Sequence, residues 1–286
     1  MLVESIVSNG LAVGAVYALI GITYNIMYSA SRVFSFTAGA VGMLGGVFGS
    51  IFIAKLGLPI IVGFVLTLLV GAVLGVITEF VTVRPVLKSL DQHLYVLSTL
   101  AASLIIQQLT AISFSTDAVP FPKVVPFDTW FLDQKFWLPI VACLATIVGL
   151  EYLFRYTLIG RAFLAISEDN YAARALGLPE AGLRMASYAL AGIVGVLAGF
   201  AGGQLLFASL ANGPLLTFYG FVPVALGGMG SNRGAVVGGL ALGLFQQTAN
   251  YFFGGIFASV AVFAVFIFVL LLRPEGLAGA ATGRRV

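Results

Sequence analysis

Residues 58–80 read LPIIVGFVLTLLVGAVLGVITEF, and the single charge among them, Glu79, stands at the far end. A helix rises 1.5 Å per residue, so about 20 apolar residues cross the ~30 Å of hydrocarbon in a bilayer. This stretch is long and apolar enough to do so. Comparable runs lie near 5–28, 34–54, 93–114, 136–154, 185–207, 233–254 and 256–272. A further stretch, 215–229, is interrupted by Gly220, Pro223, Gly227 and Gly228, and reads either as a ninth crossing or as a re-entrant segment. The predicted fold class is an all-α polytopic membrane protein with about eight to nine transmembrane helices, forming one membrane domain over residues 1–286.

Composition agrees with that reading. Of 286 residues, 60% are hydrophobic and 9% charged, and mean hydropathy is +1.08. A soluble domain carries about 25% charged residues, so this surface is expected to face lipid. The 35 glycines point the same way. Glycine weakens soluble helices by ~1 kcal/mol against alanine, whereas membrane helices use it for close backbone approach. The start, Met1 to Ser5, lacks a positive segment and runs into apolar sequence, so it reads as a first span rather than a signal peptide.

Cationic residues set the expected orientation. The stretches 29–33, 81–92, 155–184, 230–234 and 273–286 hold 11 of the 14 Lys and Arg residues. Positive loops stay inside, which predicts an outside N-terminus and a cytoplasmic C-terminus and requires an odd number of crossings. The segment 115–135 then becomes an external loop. Its Phe127, Trp130, Phe131, Phe136 and Trp137 suit an interfacial aromatic belt, or a docking surface for an external partner.

Several function classes find no support. The 14 Lys and Arg residues are scattered, with no basic run before Arg284-Arg285, so nucleic acid is not an expected partner. One Cys (Cys143) and one His (His93) argue against a metal cluster. No lysine stands in a G-x-x-x-x-G-K-[ST] context. Ionisable groups are scarce in mid-span, where an ion-coupled transporter keeps them. Glu79 lies near Arg84, and Glu151 and Arg155 stand one helical turn apart, both near the expected cytoplasmic side. The chain thus offers a membrane body without a motor of its own.

The segment 157–184 is the most informative polar stretch. Ser167 can cap a helix with Glu168 and Asp169 in its positive first turn. Ala172, Ala173 and Leu176 fall on one face, Gly177 supplies a left-handed stop, and Pro179 follows. A short helix with small side chains can seat in a partner's groove. It can equally be an ordinary hairpin between spans.

Gly14 to Gly21, Phe34 through Gly46, Gly160 through Pro179, Ala225 to Gly239 and Arg273 to Leu277 are five stretches that together resemble the branched-chain amino-acid (Liv-type) permease family of ABC importers. Gly14 to Gly21 resembles the family's first span. Phe34-Ser35-Phe36-Thr37-Ala38-Gly39 through Leu44-Gly45-Gly46 resembles its N-F-A-x-G stretch, with Ser35 and Thr37 as departures. Ala225 to Ser231 with Gly234 to Gly239 resembles its G-G-x-G-S…G-A-x-x-G-G signature. Arg273-Pro274-Glu275-Gly276-Leu277 resembles its tail. The run Gly160-Arg161-Ala162 with Glu168 through Pro179 resembles the E-A-A…G coupling loop of such permeases.

That resemblance implies a bacterial-type inner-membrane subunit. Arg161, Glu168, Asp169, Ala172, Ala173 and Gly177 would form the element that docks two cytoplasmic ATPases. A second permease, related or identical, and an external binding protein complete the implied assembly. ATP and Mg would be bound by the ATPases, with no cofactor in this chain. Branched-chain or other apolar amino acids are the implied cargo, with urea or short amides next. A stand-alone channel, a secondary transporter and a non-transport scaffold are the readings from other classes.

A path for a zwitterion needs weak polar contacts, because tight binding blocks exit. Candidates are Thr37, Gln107, Gln108, Gln204, Asn212, Gln246, Gln247 and Asn250, each of which could instead bridge helices. Gly45, Gly46, Gly238 and Gly239 are candidates for close packing, and Gly227, Gly228 and Gly230 for a tight turn.

Overall fold

The computed structural model describes residues 2–88, 94–114, 118–124 and 133–272. The first two long helices are α1 (Leu2–Ser31) and α2 (Ala38–Ser50), the latter continued by a π-helical turn, Ile51–Lys55. Then come α3 (Ile60–Thr78), continued by a second π turn at Glu79–Val83, α4 (Leu94–Ser113) and α5 (Gln134–Tyr156). Two short helices follow, α6 (Leu158–Glu168) and α7 (Asn170–Ala175). The chain continues as α8 (Glu180–Leu206), α9 (Asn212–Gly227), α10 (Asn232–Phe253) and α11 (Gly255–Leu272).

Six of these elements are long and apolar enough to cross a membrane by themselves: α1, α2 with its π turn, α3 with its π turn, α4, α5 and α8. The helices α9 and α10 meet the same test only together, bent by 118° at the break between them. The expected span 34–54 starts late. Residues 34–37 lie outside the helix, where the Ser35 and Thr37 hydroxyls bond each other at 2.8 Å. There Phe34 stacks on Tyr28, and Phe36 packs edge-on to Tyr24.

The centre is α1. It is apolar on every side and buried from Ala12 through Met27, packed against α5, α8, α9 and α10. The other central helix, α8, is clasped by α1, α2 and α3. By contrast α3, α4 and α5 turn most of their surface outward, and so does α11, which exposes Ile256, Phe257, Val260, Phe263 and Leu271. A backbone in hydrocarbon must satisfy its own polar groups, and hydroxyls here follow the same rule. Thr23, Thr67, Thr82, Thr99 and Thr110 each donate to a carbonyl one turn back.

The break at 228–231 has a local cause. Gly228 and Gly230 hold φ of +86° and +84°, which side-chain-bearing residues rarely adopt. Ser231 then caps α10, accepting from the Gly234 amide at 3.1 Å. Asn25 of α1 pins the turn from both sides. Its Nδ2 donates to the Ser231 carbonyl at 3.0 Å, and its Oδ1 accepts from the Gly230 amide at 3.0 Å. The helix α9 starts beside the end of α8, and the tip reaches Ser29, Ala30 and Ser167 at the end carrying α6.

Close approach is densest where α8 meets α2 and α3. A side chain at Gly192 would collide with the Gly71 carbonyl, and one at Gly45 with that of Val196. The other candidate glycines divide. A side chain at Gly227 would strike Gly234, at Gly238 the Pro223 carbonyl and at Gly239 the backbone of Ala18, while Gly46 has ordinary room.

The segment 157–184 departs from its expected layout. It forms two helices rather than one, and Asp169, not Ser167, caps the second by accepting from the Ala172 amide at 3.0 Å. The Ser167 hydroxyl donates back to the Leu164 carbonyl within α6, and its own carbonyl accepts from Arg32. Glu168 therefore ends α6 instead of sitting in the first turn of α7. Gly177 does take the left-handed conformation, at φ +83°.

Candidate functional site

Two surfaces gather candidate residues, one at each end of the bundle. At the end opposite α6 and α7, the start of α1, the ends of α8 and α10 and the beginnings of α5, α9 and α11 enclose a cavity of about 680 Å³. Apart from Lys135, its polar side chains are neutral amides and hydroxyls. Tyr17 donates to Gln246 Oε1 at 2.8 Å, and Asn9 donates to Gln247 Oε1 at 3.4 Å. Tyr219 donates to the Ser259 hydroxyl at 3.2 Å and stacks on Tyr17, with ring centroids 5.0 Å apart. Among the described lining residues Lys135 is the one charged side chain, and it is paired with Asp133 at 2.9 Å.

The structure brings Gln204, Asn212, Gln246 and Gln247 together on this cavity. Two of them also hold the chain. Gln204 donates to the Pro122 carbonyl at 3.1 Å. Asn212 donates to the carbonyls of Leu206 at 3.1 Å and Phe207 at 2.8 Å. The remaining candidates lie elsewhere. Thr37 is buried against Ser35, and Gln107 donates to Ser103 at 3.3 Å. Gln108 and Asn250 are exposed on α4 and α10.

Asn9, Tyr17, Tyr219 and Ser259 were not among the sequence candidates. The available signal was Asn9 and Tyr17, about two turns apart in the mostly apolar first half of α1. Of the expected external loop, Phe127, Trp130 and Phe131 lie outside the described residues, and Phe136 lines the cavity.

The second surface is built by α6 and α7. Thr157 opens α6, accepting from the Gly160 amide at 3.0 Å. Residues Arg161, Glu168, Asp169, Ala172 and Gly177 are exposed, whereas Ala173 is buried within its own chain. Around α7 the outward apolar groups are Tyr171 and Leu176, both more than four-fifths exposed, and α6 also exposes Leu158, Ile159 and Leu164. Two ionic clusters lie behind this surface. Glu151 meets Arg155 at 2.8 Å and also Arg233 of α10. Glu79 meets Arg184 at 2.8 Å and Arg84 at 3.4 Å. Among the described residues no three His, Cys, Asp or Glu side chains gather to hold a metal.

A glycine-packed helical body, apolar outside, with a neutral polar cavity at one end and a charged helical platform at the other, defines a polytopic membrane protein of the transport class. The family of permease components of branched-chain amino acid transport systems matches residues 6–272, and the chain belongs to that family. The high-affinity branched-chain amino acid transport system permease protein BraD of Pseudomonas aeruginosa is 28% identical, over 95% of this chain and 94% of that protein. The LivH permease protein of Escherichia coli K12 is also 28% identical, over 95% and 94%. The probable LivH of Methanocaldococcus jannaschii is 24% identical, over 91% and 88%. The solved structure of PsaBC from Streptococcus pneumoniae in complex with Fab matches with a TM-score of 0.52 at 16% identity, over 93% of this chain and 91% of that one. That last likeness is one of fold.

Proposed function

We propose that this chain is the membrane-spanning permease subunit of an ABC importer, and that it carries branched-chain or other apolar amino acids delivered by an external binding protein. The observation that carries this reading is the family match over residues 6–272. In this reading the end bearing α6 and α7 faces the cytoplasm, the cavity faces outside, and α9 makes a crossing of its own, giving nine. The N-terminus lies outside and the C-terminus inside. Two ATPases, which bind ATP and Mg, dock on residues 157–184, and a second permease completes the path. The membrane is a bacterial-type inner membrane.

The chemistry of the cavity supports passage rather than storage. Neutral amides and hydroxyls offer a zwitterion single hydrogen bonds, and leucines 205, 206, 215 and 216 offer apolar surface for a branched side chain. Gln246 and Gln204, with Tyr17, are the side chains we assign to the path. On the platform, Tyr171 and Leu176 are the anchors and Arg161, Glu168, Asp169 and Ala172 surround them, while Gly177 ends α7 and Ala173 supports it from within.

The test is uptake of radiolabelled leucine by the complex of this chain with its ATPases, partner permease and binding protein in liposomes. Uptake that requires ATP, is competed by isoleucine and valine and is untouched by urea supports the reading. Competition by urea alone reassigns the cargo, and uptake by this chain without ATP or ATPases overturns it. Cys143 is the one cysteine, so a cysteine at Tyr171 in a C143S background reports orientation by labelling from one side of intact cells.

A further inference from the structure

Glu79 is fully buried, and it is an ionisable residue near the end of an apolar helix. Such groups are costly in a membrane protein and usually mark function. Its Oε1 accepts from Arg184 Nε at 2.8 Å, across from α3 to α8. Arg184 also donates to Glu180 at 3.2 Å, and Glu180 lies 3.6 Å from Arg174, in the last turn of α7. Four side chains thus form an unbroken ionic path from the docking helix to the inside of α3. The second observation is in the backbone. Residues Glu79–Val83 are wound as a π turn, closed by the Arg84 amide on the Glu79 carbonyl at 2.9 Å. Such turns are rare and recur at functional places.

Beyond the ion pair, α3 and α8 are locked by close backbone contact. A side chain at Gly75 would collide with the Tyr188 carbonyl, and one at Gly192 with that of Gly71. From there α8 runs unbroken to Gln204 and Leu206 on the cavity wall. One continuous helix, α8, therefore joins the platform to the cavity wall.

We propose that Glu79 is a positioning residue of the transport cycle, clasping α3 to α8 behind α7 so that a push on α7 moves both helices and the cavity wall together. This rests on the importer reading above. A pair kept only for stability could be replaced by packed apolar or neutral groups at little cost. A coupling pair could not, because ATP would still be hydrolysed while the cavity wall no longer followed.

The measurement is leucine taken up per ATP hydrolysed by the reconstituted complex. The double variant Glu79→Gln with Arg184→Gln leaves no unpaired partner within the pair, and Glu180→Gln leaves the buried pair intact and cuts only its link to α7. Both are expected to assemble and hydrolyse ATP. Uptake per ATP should fall about fivefold or more in the double variant, the lower range of ordinary coupling between sites, and by a smaller factor in Glu180→Gln. Wild-type uptake with an unchanged ratio in any variant that assembles overturns this inference alone. No ATP-dependent uptake by the wild-type complex overturns the importer reading, and this inference with it.

Discussion

At the cavity end, polar side chains other than the paired Lys135 are neutral, and most meet one partner through one bond. At the platform end they are charged and share partners: Glu79 holds Arg84 and Arg184, Glu151 holds Arg155 and Arg233, and Glu180 holds Arg174 and Arg184. The contrast separates two tasks. If the cavity is the path proposed above, contacts that a passing solute replaces must be weak, and a single amide bond in a membrane protein is worth only ~0.6 kcal/mol on average. In the same reading the buried pair Glu79–Arg184 must not let go, and breaking one partner of a buried ion pair costs about 3–5 kcal/mol, whereas the exposed pairs around it contribute little.

The largest expected effect tests that difference at its strong end. Glu79→Leu alone leaves Arg184 buried without its main partner and should destabilise the protein by about 3–5 kcal/mol, read as a large loss of thermal stability in detergent. Asn25→Ala comes next and asks whether charge or number of partners matters. Asn25 is neutral, but it is buried and makes two bonds to the α9–α10 turn. Its loss should cost about 1–3 kcal/mol, because a backbone amide and a carbonyl lose their partner inside the protein. An effect as small as that of a cavity amide would mean that charge alone distinguishes the two ends.

Tyr17→Phe removes only the donor to Gln246. The stability change should be ~0.6 kcal/mol, while the leucine concentration for half-maximal uptake shifts. A stability loss as large as that of Glu79→Leu would place Tyr17 in the framework and not in the path. The smallest effect is expected for Arg155→Gln. This pair lies on the surface and, at one helical turn, is worth roughly 0.5 kcal/mol or less, so unfolding should barely move.

The sequence carried the apolar helices well, because the period and length of an apolar run survive any tertiary arrangement. It also carried the pairs Glu79–Arg84 and Glu151–Arg155, which are local. It could not carry the second partner of each carboxylate. Arg184 lies 105 residues from Glu79, and only packing of α3 on α8 brings them together. The cavity was half legible for the same reason. Gln204, Asn212 and Gln246 stood out as amides in apolar segments, but so did Gln108 and Asn250, and outward-facing amides look the same in a sequence. Asp169 and Ser167 are equally good caps by type. The structure shows what type cannot: Ser167 lies inside α6, its hydroxyl turned back to the Leu164 carbonyl, and Asp169 is left to cap α7.

The account stands on the claim that energy reaches this chain through the helix at Asn170–Ala175. The most direct measurement is ATP-driven leucine uptake and ATPase co-purification with Glu168→Trp and Ala172→Trp, two exposed positions where bulk should leave the chain's own packing intact. The expected result is a folded permease that loses its ATPases and its uptake together. A permease that keeps both with tryptophan at these positions would contradict the claim.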